Sequence, residues 1–484
     1  MVRLLGRAVQ DSCTWQAIRN GMLILMGTPD PGFLEYLMPL RDDARLLADD
    51  LVGLRRELHA DPELGRALPR TQRRVLAALD GLPLEVAVGT ELSSVTAVLR
   101  GARPGPTVLL RADMDALPVT EDTDPDLPFA SRNAGVMHAC GHDLHTAMLV
   151  GAARLLADRR DALAGSVVFM FQPDEEGTDG GGAEQMLAEG LLDVSGERPV
   201  AAYALHVAAN RLPRGLFASR PGPATAASDG LEVTFRGRGG HGSAPHKALD
   251  PIPALCEAVT ALQTFVTRRF DVFDPVVLTV GAIRGGTKAN VIPGDASFSA
   301  TVRTFSPTAR TLMRQGTAVL IENIAAAHGL TAQVDYRLGY PSTVNDAAEV
   351  TLAADTVTEL FGPGRYFSAP HPTPGAEDMA FVLNQVPGAY LMLGACPPDR
   401  DPDTAPYNHS PQAVFDDAVL PDGAAFLAQA AAARLALAEA GGGGKAGAET
   451  ETEAGGGAKA KAGAKAETET GGRPRPARAP KADA

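Results

Sequence analysis

At 484 residues the chain is too long for one small hydrophobic core, and its length points to two or three domains. With 45% hydrophobic and 21% charged residues the composition is that of a globular protein, which excludes a wholly disordered chain. A formal charge of −14 argues against nucleic-acid recognition, which calls for a basic face, and no basic arm interrupts the folded part.

Residues 1–40 show little periodicity and read as a poorly ordered N-terminal extension or the product of an upstream start codon. The apolar run Gly21–Gly27 is far shorter than the ~20 residues that span a bilayer. No small-residue cleavage site follows it, so it is read as neither a membrane segment nor a signal peptide. From Asp42 onward, "DDARLLADDLVGLRRELHADPEL" spaces its apolar residues as helices do. The first strongly apolar strand-like run is "TVLLRADMDALPV" at 107–119, followed by "GSVVFMFQPDEEG" at 165–177 and "PVAAYALHV" at 199–207. Continuous apolar runs that end in polar residues suit strands covered on both faces of a mainly parallel sheet. Helical stretches such as "HTAMLVGAARLLADRRDAL" lie between them, so the fold class is α/β.

The pattern then changes. A strand at 231–237, a helix at 250–270, strands at 276–284 and 296–305, a helix at 307–328 and a strand at 330–338 spell βαββαβ. That order predicts a ferredoxin-like module. Strand and helix signals resume after it with "GAYLMLGA" at 388–395 and a helix at 420–439, so the module reads as an insertion. The predicted organisation is a catalytic metal-binding domain from 41–226 and 340–440, interrupted by an inserted domain at 227–339. Beyond it, 441–484 is a Gly/Ala/Lys/Glu/Thr tail without large apolar residues, predicted to be disordered.

The densest chemistry is "MHACGHDLHT" at 137–146, which gathers three of the chain's 10 histidines and one of its 4 cysteines. Packing alone does not require that concentration. The cysteines (13, 140, 256 and 396) are far apart and form no disulfide-like spacing, which fits a reducing, cytoplasmic location and leaves Cys140 available as a thiolate. Three buried strands end in ionisable groups: Asp113 and Asp115, Glu175 and Glu176, and His206. Ligands of α/β sheets bind at the carboxyl ends of strands, where these side chains and the decapeptide would converge. Adjacent carboxylates repel unless a cation is near, so Glu175–Glu176 suggests a metal, with one acid binding it and the other free to carry protons. A thiolate with imidazoles favours zinc, manganese, cobalt or nickel over magnesium or calcium. "GTDGGGAEQM" lacks the G-K-[ST] ending of a phosphate loop, and its glycines instead suit a chain passing close to the metal site. His59 and His246 read as structural, His145 as a partner that orients a ligand, and Arg303 as a strand arginine that either faces solvent or pairs a substrate carboxylate.

Taken in order, "RADMDALP", "MHACGHDLHTA", "FQPDEEG", "ALHV", "GRGGHGSAPH", "ANVIPG" and "NHSP" resemble the motifs of the aminoacylase/carboxypeptidase-type dinuclear metallopeptidases. The similarity, from about residue 45 to 438, is strongest to the amidohydrolase branch that includes hippurate hydrolases and indole-3-acetyl-amino-acid hydrolases. The resemblance implies two divalent ions held by Cys140, His142, Glu176, His206 and His409, with Glu175 as the general base. It implies that Asp115 orients the site, that Cys140 replaces a ligand which other branches place at the position of Asp113, and that Asn290 contacts substrate. The inserted domain would form a homodimer or a lid, and His241 would stabilise the oxyanion, reaching into the partner's site. Glu377–Asp378 falls at a family-like position and reads as pocket wall or ligand support. Leu144 and Asp174 depart from the branch pattern beside ligands, so each is expected to reshape the pocket. The implied substrate is a small N-acyl-amino acid, with no nucleic acid or membrane partner. A dipeptidase or N-deacetylase of the same superfamily and a non-catalytic binding protein on the same scaffold remain as alternatives.

Overall fold

The computed structural model describes residues 40–446 apart from residue 125 and residues 178–180. The N-terminal extension and most of the low-complexity tail therefore lie outside the described residues. Eight strands build the main sheet: Leu84–Val88, Val95–Arg100, Arg103–Asp113, Ala164–Gln172, Pro199–Pro213, Phe217–Ser219, Tyr366–Ser368 and Gly388–Cys396. Strands 164–172, 103–113, 199–213 and 388–396 lie side by side at its centre, each parallel to the next. Strand 95–100 pairs antiparallel with 164–172, and 84–88 antiparallel with 95–100 at one edge.

The continuous apolar runs follow from burial on both faces. Val108, Leu110 and Ala112 enter one core with Val167, Phe169 and Phe171, while Leu109 enters the opposite core with Val168 and Met170. Because side chains alternate sides along a strand, both halves of the alternation must be apolar. Helices Leu40–Leu46, Ala48–His59, Pro69–Leu79, His142–Ala157, Ala347–Phe361 and Leu420–Ala446 contribute to the first core. Helices Gly181–Ala188 and Ala380–Leu383 contribute to the second. Helix 142–157 is buried almost all round, which explains why it shows no polar stripe. No described helix is long and apolar enough to cross a membrane.

The sequence reading placed its first strand at 107 and missed two before it. Strand 84–88 is an edge strand whose Val86 and Val88 are exposed, so it lacks the buried face that makes a strand visible as a pattern.

Residues 227–338 form a second sheet from strands Ala227–Arg236, Val277–Gly285, Asp295–Thr304 and Thr331–Leu338. Its spatial order is 277–285, 295–304, 227–236, 331–338, all antiparallel, which with helices Pro251–Arg269 and Pro307–Ala327 is the ferredoxin-like arrangement. Each helix has a readable start. Asp250 and Ser306 accept hydrogen bonds from the backbone N–H groups of Ile252 and Ala309, and each precedes a proline in the first turn. This module has its own core around Leu231, Phe235, Leu255, Phe298 and Ile321.

Candidate metal centre and active site

The parallel strands end at one edge of the main sheet, and most of the sequence-predicted residues meet there. Asp113 ends strand 103–113 and Asp115 follows it. Glu175 and Glu176 lie in the turn after strand 164–172, and His206 lies within strand 199–213. His142 opens helix 142–157, with Gly141 at φ 84° as its left-handed N-terminal neighbour. A Cβ on Gly141 would sit 2.3 Å from Val207 Cγ2, so only glycine allows this close turn between Cys140 and His142. His409 arrives from the loop after strand 388–396 with a φ of 72°, uncommon for a non-glycine residue. Its N–H donates to Ala139 O at 2.9 Å. The neighbouring Asn408 accepts from Ala209 N–H at 2.9 Å and donates to Val207 O at 3.0 Å, which pins the loop to strand 199–213.

Cys140 is the centre of the cluster. Its Sγ lies 3.3 Å from His206 Nε2 and 3.2 Å from His409 Nε2, and His409 Nε2 is 2.9 Å from Glu176 Oε1. Cys140, His142 and His206 form one triad of donor atoms lying within 4.8 Å of one another, and Cys140, Glu176 and His409 form another. His142, Glu175 and Glu176 make a third such group. His206 Nδ1–H donates to Val207 O at 2.9 Å, which leaves the Nε2 lone pair directed toward Cys140.

Behind these donors, Asp115 accepts from the N–H groups of Glu175 and Glu176, both at 3.0 Å, and so holds the turn that carries both acids. It also lies 3.4 Å from His142 Nδ1. His145 accepts from Val207 N–H at 2.8 Å on Nε2, so its proton sits on Nδ1 and goes to Asp113 Oδ1 at 2.5 Å. Both ring nitrogens of His145 are thereby used in hydrogen bonds to the protein.

Arg111 is the residue the sequence reading overlooked. Fully buried, it donates to Asp113 at 2.6 Å, Gln172 at 2.8 Å and Asp378 at 2.9 Å, and lies 3.0 Å from Glu377. Asp378 also accepts from Gln172 at 2.6 Å and from Ala183 N–H at 3.0 Å. Glu377 and Asp378 are therefore support beneath the site, tied by one guanidinium to the strand of Asp113. The signal was present as an arginine inside an apolar strand, a position where a buried charge requires partners.

Burial pushes the Glu175 carboxyl well above the usual carboxylate range, and the charges of Glu377, Glu176 and Asp378 push it further. Its side chain accepts no hydrogen bond among the described residues. Burial and Glu176 likewise raise the Cys140 thiol. Hydrogen bonds to Cys140 and Glu176 lift His409 to about 10. This is a site with an excess of groups that prefer a positive partner. Both ring nitrogens of His142 are buried and make no hydrogen bond, although the Asp115 carboxylate lies 3.4 Å from Nδ1. Each such atom costs about 1–3 kcal/mol unless something else satisfies it. Buried unbonded imidazole nitrogens, a thiol and crowded acids together fit divalent cations.

Two predicted residues lie apart from this cluster. His241 and Asn290 stand next to each other on the inserted module, where His241 pairs with Val291 and Gly242 N–H donates to Asn290 O at 2.9 Å. Both are exposed, and no hydrogen bond or ion pair among the described residues joins them to the cluster. His241 Nδ1 accepts from Ser243 N–H at 3.1 Å, so the proton of the neutral ring is on Nε2, facing outward. The two departures from the branch pattern each have a defined place in the fold. Leu144 is wholly buried in the helix core, and Asp174 pairs with Arg66 at 2.8 Å. His59 is buried in a separate ion-pair network, and Arg303 donates to Ser228.

A mainly parallel α/β sheet with an inserted ferredoxin-like module, whose carboxyl edge gathers a thiol, imidazoles and paired acids, defines a metallohydrolase of amide bonds. The chain belongs to peptidase family M20/M25/M40, whose model matches residues 109–433. It is 37% identical over 394 residues to thermostable carboxypeptidase 1 of Saccharolobus solfataricus, covering 81% of this chain and 97% of that one. It is 34% identical over 425 residues to N-acetyl-L-cysteine deacetylase of Bacillus subtilis, covering 88% and 95%. Among solved structures it resembles the YxeP protein of B. subtilis, described as a dinuclear metal binding peptidase of family M20. That match has a TM-score of 0.69 and 31% identity over 81% of this chain and 99% of the other.

Proposed function

We propose that this protein hydrolyses small N-acyl-amino acids to a carboxylate and an amine. In this reading Cys140, His142, Glu176, His206 and His409 hold two divalent cations, and Glu175 is the general base. The observation that carries it is the pair of donor triads sharing Cys140, with the uncommitted carboxylate of Glu175 beside them. Cations bound there would polarise the amide carbonyl and make the attacking water more acidic. Glu175, its proton affinity raised by burial and neighbouring acids, is suited to take that proton and return it to the leaving amine. Asp115 keeps Glu175 in place through its backbone N–H. His241, with its outward Nε2–H, is suited to stabilise negative charge on the carbonyl oxygen, and Asn290 beside it to contact substrate.

Because His241 stands away from the cluster of its own chain, this role calls for a second copy. The unpaired edge strand 277–285, which exposes Val277 and Ile283, supports a homodimer through the inserted domain. A thiolate ligand also requires a reducing compartment, consistent with free Cys140, Cys256 and Cys396 and a cytoplasmic location. The carboxypeptidase among the relatives supports a second reading, in which N-blocked dipeptides are cleaved.

Elemental analysis of the purified protein should find two divalent ions per chain and identify the metal. A panel of hippurate, N-acetyl-L-cysteine, other N-acetyl-amino acids, indole-3-acetyl-alanine and N-blocked dipeptides separates the two readings. Glu175→Gln should keep its metal and lose turnover ~10²–10⁴-fold. A Glu175→Gln protein at the native rate would overturn the assignment of the base, and a panel with no cleavage would overturn the activity. Mixing inactive Glu175→Gln with inactive His241→Ala should restore activity if the histidine acts across a dimer.

A further inference from the structure

The turn that carries both acids is held from two sides. Asp115 takes the N–H groups of Glu175 and Glu176, while the Tyr340 hydroxyl lies 2.7 Å from the carbonyl oxygens of both Glu175 and Gly177. One phenolic proton is thus presented to two carbonyls, which turns both toward the ring. The approach is close. A Cβ on Gly181, which has a φ of 65°, would come within 2.7 Å of the Tyr340 hydroxyl. Phe381 meets the ring edge-to-face at 6.1 Å between centroids.

Tyr340 sits where the chain leaves the inserted module, and the insert holds its neighbour. Asp229, on the first strand of the insert and almost fully buried, accepts from Arg310 at 2.5 Å, Tyr336 at 3.1 Å and the N–H of Gly339 at 3.1 Å. Arg310 also donates to Gly339 O at 2.7 Å. Both polar groups of the Gly339 backbone are therefore held by one ion pair of the insert. The two crossings are stitched together as well, with Ser228 N–H donating to Tyr340 O at 2.9 Å. A continuous path of short contacts runs from the Asp229–Arg310 pair through Gly339 and Tyr340 to the backbone of Glu175.

We propose that Tyr340 is a positioning residue that sets the placement of Glu175 and Glu176, and that the Asp229–Arg310 pair of the inserted module governs it. The proposal rests on the reading of Glu175 as the base. A misplacement on the order of 1 Å in such a group lowers turnover by ~10²-fold, so a hydroxyl that touches only backbone has a measurable effect. Coupling along this path is read by comparing single and double variants.

The test uses the full-length, metal-loaded protein and whichever amide of the panel is cleaved fastest. Tyr340→Phe keeps the ring and removes the hydroxyl. It should lower kcat at least about fivefold, with KM within about threefold and a thermal midpoint lowered by only a few degrees, and it should release metal faster to a chelator because Glu176 shares the turn. Asp229→Asn should also lower kcat, but by less than about twofold when added to Tyr340→Phe. Should Asp229→Asn fail to fold, Arg310→Gln breaks the same pair from its more exposed side. A Tyr340→Phe protein with a smaller loss of kcat or unchanged metal release overturns the positioning role, and independent, multiplying losses in the double variant overturn control by the insert. Glu175→Gln, measured alongside, separates the cases: native turnover there defeats the reading of the base, whereas its inactivity with native Tyr340→Phe turnover defeats this proposal alone.

Discussion

Two buried polar networks meet at the first turn of helix 142–157, and they are built in opposite ways. On the Asp143 side every charge has a counterpart. Arg55 lies 2.8 Å from Asp143 and 3.2 Å from Asp417, and His59 bridges Asp143 at 2.8 Å and Glu121 at 3.3 Å. His138, pushed down to about 3 by burial, stays neutral there and adds no charge. On the His142 side the thiol and acids outnumber the single buried arginine, and neither nitrogen of His142 makes a hydrogen bond. The Asp143 side also leaves both nitrogens of His138 and Asp143 Oδ1 without a hydrogen bond, so the contrast lies in charge: balanced ion pairs hold the fold, whereas crowded acids and a thiol favour an added cation.

The comparison can be tested by disturbing each side in turn. The largest effect should follow from chelation, which empties only the His142 side. Hydrolysis should fall to background and return when zinc, manganese or cobalt is added, and the thermal midpoint should fall because the ions bind only the folded state. Next, Arg111→Met leaves Asp113, Glu377 and Asp378 without their shared cation, and should cost about 3–5 kcal/mol in denaturant unfolding. Arg55→Met strikes the Asp143 side and should cost about 3 kcal/mol while metal content and kcat stay within about threefold. A parallel loss of metal in that variant would break the distinction drawn here.

The smallest effect concerns Glu121. Burial raises its carboxyl, but hydrogen bonds from His59, Ser131 N–H and Thr123 outweigh that and bring it from 4.5 down to about 2. A depressed acid stabilises the fold above its unfolded pKa, and that contribution fades as pH drops from 4.5 toward about 2. Glu121→Gln should cost about 1 kcal/mol at neutral pH and flatten the acid limb of the stability curve.

Much of the architecture was legible in the chain. The inserted module reads almost residue for residue, because its helices have caps and prolines at their starts and its strands alternate over a core of their own. The candidate donors at 140, 142, 175, 176 and 206 stood out because soft donors and paired acids at strand ends have few structural reasons to exist, whereas His409 was indicated only by the resemblance of its motif. Arg111 was passed over since its partners at 377 and 378 are remote in sequence. Tyr340 gave no signal at all, because its contacts are with backbone carbonyls that carry no residue identity.

Local patterning alone settled the buried central strands, the βαββαβ insertion and the chemical types available for a metal site, because periodicity, capping and donor chemistry are properties of neighbouring residues. Which atoms share Cys140, which histidine is spent on Asp113 and Val207, and how the insert's ion pair reaches the turn of Glu175 were decided only by the tertiary structure. Those relations depend on distances between residues far apart in the chain, and parallel pairing of buried strands brings most of them to one edge of the sheet.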